Sequence, residues 1–396
     1  MPNTLLNIDM ITKEALKVLH EMLVFTNKIN KQYDPSFARS GAKIGETLRV
    51  RKPAQFSVRS GSTYAAQDFI EQSIALTVDK QLGIDVTFTD LDLTLSLNDF
   101  SEQFIKPAMS QLATSIEAET LEMAKNVSNA VYKSGGLVYK DTLVARQKLF
   151  ESLTPSGKWC MILNPATSVE LVDELKGLFQ DSASISKQYK EGLLGRTSGF
   201  DFYESNIIPN TVNPTDIIGT VTVTEGASTA TIAGLTNGDV IPRGFRFKVA
   251  GSNKVHAETK KVYADLYEFV VLEDVTVAAT QALVKIHPVF SAASGARQNI
   301  SVLPAAASAI VVNGAADEVI RNNIAFYKDA FTMASADLPT PKGTDMASRQ
   351  VMDGMSLRFV RDFDIKEGEW LSRFDFLFGY RTLREQFGCL LQEPNV

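Results

Sequence analysis

Two adjoining runs decide the fold: SIALTVDKQLGIDVTF at 73–88 and FIKPAMSQLATSIEAETLEMAKNV at 104–127. In the first, Ile74, Leu76 and Val78, then Ile84, Val86 and Phe88, fall on alternate positions, and Leu91, Leu93 and Leu95 continue the pattern. Strand side chains point to opposite faces in turn, so each strand carries one apolar face. In the second run Ile105, Met109, Leu112, Ile116, Met123 and Val127 follow helical spacing. A long helix with one buried stripe is expected to lie against the sheet that feeds it. Pro107 either opens this helix, where no N–H is required, or follows a separate short turn over 101–105. Glu117, Glu119 and Glu122 read as a solvated face, with Lys125 three residues beyond Glu122 as a surface ion pair.

Toward the N-terminus, Ile11, Ala15, Val18, Met22, Phe25 and Ile29 predict a helix from an N-cap at Thr12 to about Asn30. It either folds back on its own core or reaches out as an arm to a neighbouring subunit or scaffold; removing the first thirty residues is then expected to weaken assembly and leave the monomer folded. Tyr33, Asp34 and Pro35 end it, and Gly41 with Gly45 frames a turn into a strand over 47–50. A hairpin with its tip at Gly61, Ser62 and Thr63 follows. Its outgoing limb holds Arg49, Arg51, Lys52 and Arg59 without an acid, and Asp68 and Glu71 open the return limb. With only Phe56 and Tyr64 nearby, this is a small footprint for nucleic acid. These six charged residues are either a solvated hairpin or a flap that pairs with a neighbouring copy, which makes them the candidate subunit contacts.

Beyond Gly135 and Gly136 the pattern predicts a helix over 142–153, a strand over 158–163, an Asn164-Pro165 break and a helix over 168–179, an α+β unit. Gly192, Gly195 and Gly199 punctuate a turn-rich stretch without a phosphate-loop lysine. From Asp216 to Gly295 short strands separated by turn signals replace the helical period: Val221 with Val223, then 229–232, 245–249, 267–272 and 283–286. This reads as an inserted β barrel or sandwich, after which mixed sequence resumes.

The chain of 396 residues is 44% hydrophobic and 22% charged, enough for two or three folded units. No apolar run approaches the roughly 18 residues of a membrane span. The first helix, carrying Lys13, Glu14, Lys17, Glu21 and Lys28, is unlike a secretory signal, so a cytoplasmic site of synthesis and use is expected. A net charge of −6 is the wrong sign for gripping phosphates. Cys160 and Cys389 stand far apart and read as buried thiols. His20, His256 and His287 lack any triad or metal spacing, and Walker and nucleophile-elbow patterns are absent. No enzymatic role, cofactor or metal is expected, and Trp159 and Trp370 read as core anchors.

The run Tyr33-Asp34-Pro35-Ser36-Phe37-Ala38, then Gly41 to Leu48 and Arg51-Lys52-Pro53, resembles the N-terminal part of tailed-phage major capsid proteins of the P-twenty-two-like coat protein branch. Asn323-Ile324-Ala325-Phe326, Asp329-Ala330-Phe331, Asp337-Leu338-Pro339, Gly354 to Arg358 and Arg373 to Gly379 are similar to that family in the same order. The resemblance implies an α+β, Hong-Kong-phage-type capsid fold with an inserted β-barrel-like domain. Its parts would be an N-terminal arm (1–40), an extended hairpin loop (41–80), a peripheral domain with a spine helix (81–150), a first axial part (151–215), the β insertion (216–300) and a return through axial and peripheral domains (301–396). It further implies an icosahedral shell of hexamers and pentamers around double-stranded DNA, built with a scaffolding protein and a portal in the host cytoplasm, without specific DNA binding or a membrane. The covalent Lys–Asn link of some capsid relatives cannot be assigned to a pair in this chain. A tail or decoration component, or a hydrolase with a site in the β insertion, are the competing readings.

Overall fold

In a computed structural model the described residues are 8–33, 47–52, 62, 72–88, 101–175, 195–295, 297–341, 343–366 and 369–395. They divide into two compact units, one drawn from Met1–Arg51, Ser73–Leu121 and Phe331–Leu383, the other from Lys52–Gln72, Glu122–Ala330 and Arg384–Val396.

The first unit is organised by one long strand, Glu369–Thr382, which pairs antiparallel with Lys80–Phe88, with Met355–Asp364 and with Phe331–Ala336. Register sets apolar residues side by side: Phe374 is flanked by Ile84 and Phe359, and Phe376 by Leu82 and Leu357. The sheet grows by Met346–Met352, which joins Met355–Asp364 through an Asp353-Gly354 turn with φ of +48° and +72°. Positive φ at both turn residues suits the twist of a two-residue hairpin, which is why Asp and Gly stand there. Asn30–Tyr33 completes the other side, running parallel to Phe331–Ala336.

The expected long helix divides into a π turn over Ser101–Ile105, an α-helix over Lys106–Leu121 and a 3-10 turn over Glu122–Asn126. Tightening into a 3-10 turn is common where a helix ends. Met109, Leu112 and Ile116 are buried as the spacing requires. Glu117 is buried too, at 3% exposure, which corrects the reading of a solvated acidic face. Its Oε2 accepts Phe25 N–H at 3.0 Å and its Oε1 accepts Thr26 N–H at 2.9 Å. Glu119 accepts from Tyr380 Oη at 2.8 Å and pairs with Lys80 at 3.3 Å. The sequence carried a signal for this: Ala113, Glu117 and Leu121 recur every fourth residue, on one helix face whose apolar members are both buried.

The first helix spans Ile8–Met22, earlier and shorter than expected, and Thr12 is buried inside it instead of capping it. Asp9 stands in its first turn and accepts Ser348 Oγ at 2.6 Å. The helix packs on the spine helix and on Met346–Met352, burying Ile11, Ala15, Leu16, Val18 and Leu19. Asp353 bonds His20 at 3.1 Å and Lys31 at 2.6 Å, so the hairpin turn also holds this segment down. The N-terminal segment from Ile8 to Tyr33 is therefore a wall of its own unit. Removing the first thirty residues would strip a helix from the core, against the expectation that the monomer stays folded.

In the second unit a seven-stranded sheet runs Asn129–Tyr132, Gly388–Pro394, Val319–Tyr327, Trp159–Leu163, Phe200–Glu204 and Arg196–Thr197, with Thr211–Val212 paired to Val319–Tyr327. Helices Tyr139–Glu151 and Pro165–Leu175 contribute to the core of Leu149, Trp159, Met161, Leu171, Phe200 and Leu391. Asn164 Oδ1 accepts Ala166 N–H at 3.1 Å and Pro165 opens the helix, so the break signal is also its start.

The β-rich stretch forms a closed barrel of Thr220–Val223, Thr229–Ala233, Gln281–His287, Val262–Val271, Arg246–Val255 and Ser308–Val311. Phe245, Phe247, Phe269 and Phe290 pack inside it with Val221, Ile232, Val284 and Ile286. The strand that closes it, Ser308–Val311, was not among the strands expected from the sequence. It bridges Thr220–Val223 and Arg246–Val255 and leaves no open edge between them.

Replacing Glu117 with Ala leaves two buried N–H groups without an acceptor and is expected to lower unfolding free energy by about 3 kcal/mol. Glu117→Gln, which keeps one carbonyl acceptor, loses less; urea titration distinguishes them. A Cβ on Gly379 would lie 2.0 Å from Thr77 O and 2.9 Å from Val78 Cα, both backbone atoms that cannot swing aside. Gly379→Ala is expected to cost at least about 3 kcal/mol, read as a lowered melting midpoint or loss of soluble protein.

Candidate assembly surfaces

Of the six candidate contact residues, Arg49 is exposed on the strand Thr47–Lys52, which pairs with Gln72–Thr77. Arg51 and Lys52 belong to the same strand. Arg59, Asp68 and Glu71 lie outside the described residues, as do Leu91, Leu93 and Leu95.

The residues able to do chemistry are held in structural roles. His256 Nδ1 accepts Glu258 N–H at 3.2 Å and Thr259 N–H at 3.0 Å, closing a local turn. His20 meets Asp353 and His287 meets Glu385. Both thiols are free and buried, and burial pushes Cys389 up to about 12, far from a reactive thiolate. Among the described residues no group of three or more His, Cys, Asp or Glu is arranged to hold a metal. Trp159 is in the core as expected, donating Nε1–H to Pro155 O at 2.9 Å. Trp370 is only half-buried, which corrects its reading as a core anchor: the Arg361 guanidinium lies 4.4 Å from its ring and Phe363 packs beside it.

Polar nodes hold each unit rigid. In the first, Arg358 bonds Asp375 at 2.6 Å and Pro339 O at 2.7 Å, while Arg373 takes Asp85 through two bonds of 2.7 and 3.2 Å. In the second, Asn323 in the central strand accepts Asn164 N–H at 2.6 Å and donates to Thr167 Oγ1 at 3.1 Å. Gln392 donates to Asn322 at 2.8 Å, and Asn322 to Pro209 O at 2.7 Å. Glu393 accepts Leu137 N–H at 3.0 Å, Thr167 Oγ1–H and Arg321 at 3.3 Å. It faces Glu170 across an open recess also lined by Asp173, Glu174 and Glu204. Burial, then the Glu393 charge, pushes Glu170 above the ordinary carboxylate range.

The sequence phrases Asn323–Phe326, Asp337–Pro339, Gly354–Arg358 and Arg373–Gly379 thus fall on ladder strands and buried polar nodes, the places where a fold tolerates least change. Residues 210–391 match the sequence model of the P22 coat protein family, described as P22 coat protein, gene protein 5. The match covers 182 of the 396 residues and makes that stretch similar to the P22 coat protein family. The matched stretch takes in the barrel and the return strands of both units, and the expected resemblance is borne out. So are the α+β class and the closed β barrel in the expected stretch. No curated protein matches the chain.

Among solved structures similar to this chain, one from Mycobacterium phage Che8 is 11% identical over 93% of this chain and 90% of that chain, with a TM-score of 0.45. The capsid of cyanophage P-SCSP1u is 12% identical over 94% and 89%, with a TM-score of 0.43. The mature capsid of bacteriophage PhiM1 is 10% identical over 94% and 88%, with a TM-score of 0.47.

A carboxyl whose folded pKa is raised binds its proton more tightly when folded, so its contribution is present at low pH and lost as pH rises through that value. Glu170→Gln removes the charge that faces Glu393. The variant is expected to melt above the parent at pH 7 and to match it near pH 4, measured by thermal melts across that range.

Proposed function

We propose that this chain is a major capsid protein of a tailed phage, of the P22 coat type, that acts by shape and contact alone, with no reaction to perform. Copies assemble as hexamers and pentamers in the host cytoplasm, with a scaffolding protein and a portal, around double-stranded DNA that is not specifically gripped. The observation that carries the reading is the match of residues 210–391 to the P22 coat protein family. The net charge of −6 fits it, because a shell that does not hold the genome lets DNA move in and out. So do the histidines and thiols committed to structural contacts.

A closed shell multiplies each contact many times, so individually modest interfaces suffice and excess affinity traps wrong forms. The basic strand Thr47–Lys52 is the surface proposed to meet an acidic patch on a neighbouring copy, with Arg59, Asp68 and Glu71 as further contacts. Sedimentation and electron microscopy of the purified chain, with and without co-expressed scaffold, test the function. Closed shells support it; tubes or rings favour a tail component, and small oligomers that turn over a small molecule favour a hydrolase.

Reversing Arg49, Arg51 and Lys52 to Glu is expected to reduce shell yield at least about tenfold, the effect of roughly 1.4 kcal/mol lost per contact. The melting midpoint of the unassembled subunit should stay within about a degree of the parent. Normal shell yield from the triple variant overturns this contact.

A further inference from the structure

The inserted barrel carries charge where a barrel wall would ordinarily be apolar or open to water. Along Arg246–Val255, Phe247 and Val249 point into the barrel core, so Arg246 faces outward, yet it is only 6% exposed. Along Val262–Val271, Phe269 and Val271 point inward and Glu268 faces outward at 8% exposure. What covers them is the seven-stranded sheet of the same unit. Glu268 Oε2 accepts Ala130 N–H at 3.2 Å, and the Arg246 charge acts on Cys389 of Gly388–Pro394. Lys148 reaches Ala130 O, and Lys254 pairs with Glu151 at 3.2 Å. His287 meets Glu385 at the same side of the barrel.

Arg246 Nε and both terminal nitrogens are buried without a hydrogen-bond partner among the described residues, and Glu268 Oε1 is in the same condition. Arg246 lies opposite Val270 and Lys248 opposite Glu268, so Arg246 and Glu268 are diagonal neighbours on one face. Diagonal Cα atoms in a sheet stand about 7–8 Å apart, within reach of long side chains, so the two charges act on each other although no direct bond joins them. A cavity of about 30 Å³ lined by Glu268, Lys148, Lys254, Glu151, Ser128 and Asn129, with Arg246 outside its lining, lies beside Glu268, and a water needs only about 10–15 Å³ of such space. A guanidinium stays charged at any ordinary pH, so neutralising itself is not open to Arg246.

We propose that the barrel is seated on the seven-stranded sheet through a buried ionic joint in which Arg246 and Glu268 fix the barrel's registry and add little to the strength of its attachment. Bringing both charges out of water opposes their attraction, so the pair is close to neutral for stability, while removing one member alone leaves the other uncompensated. Wrong seatings of the barrel would bury the same charges without this geometry, and that penalty selects a single orientation.

The full-length chain tests the joint with Arg246→Met, and with Arg246→Met combined with Glu268→Gln, which keeps an acceptor for Ala130 N–H. The single variant should melt about 10 °C below the parent, and the double variant should return to within a few degrees of it. In the double variant, amide exchange over 129–132 and 388–394 should quicken at least tenfold as the barrel loses its fixed seat, and shell diameters should spread. A double variant as unstable as the single one, or one with parental exchange and uniform shells, overturns the registry role. The shell readout rests on the capsid reading; melting and exchange do not, so failure of the joint is distinguishable from failure of that reading.

Discussion

The hydrogen-bond ladder of the strand Glu369–Thr382 is the constraint on which the first unit depends. Fourteen residues of one strand satisfy the backbone groups of three others, drawn from 80–88, 331–336 and 355–364. A buried backbone group without a partner is costly, so none of the three can leave without stranding part of the ladder. The phenylalanines at 374, 376 and 378 are fully buried beneath it, which couples the ladder to the core. Gly379 belongs to the same logic, because the chain at Thr77 and Val78 passes so close that only a residue without a side chain fits.

The second unit meets a different demand. It carries an insertion with its own hydrophobic core and must hold it in place. Apolar glue would do this strongly and with little preference for angle, since hydrophobic contact is non-directional. The contact found is instead charged, with Glu268 accepting Ala130 N–H, Lys148 donating to Ala130 O and Lys254 paired with Glu151. Directional bonds over a small area favour one orientation. In the proposed shell role, angular definition is worth more than adhesion.

Much of this was legible in the sequence where a period was strong. The alternation at 221–223, 229–232 and 283–286 placed three barrel strands almost to the residue, because a barrel wall is apolar on its inner face alone. The stripe Met109, Leu112 and Ile116 placed the spine helix. What could not be read were features fixed by distant partners. Ser308–Val311 is short and has half its pattern dictated by Thr220–Val223 and Arg246–Val255. The first helix stops at Met22, since its continuation is drawn into a strand paired with residues three hundred positions later. Glu117, Arg246 and Glu268 are charges at buried positions, where composition points to the surface and only the folded neighbours explain them. The candidate contacts fared differently from the fold, because a basic strand states its charge and not the surface it will touch.

The parallel pairing of Asn30–Tyr33 with Phe331–Ala336 has a consequence for synthesis. A nascent chain emerges N-terminus first, and its thirtieth residue has no strand to join until more than three hundred others have been translated. The flanking sheet then awaits Glu369–Thr382, so a product cut short before that strand lacks a finished first unit whatever the state of its barrel.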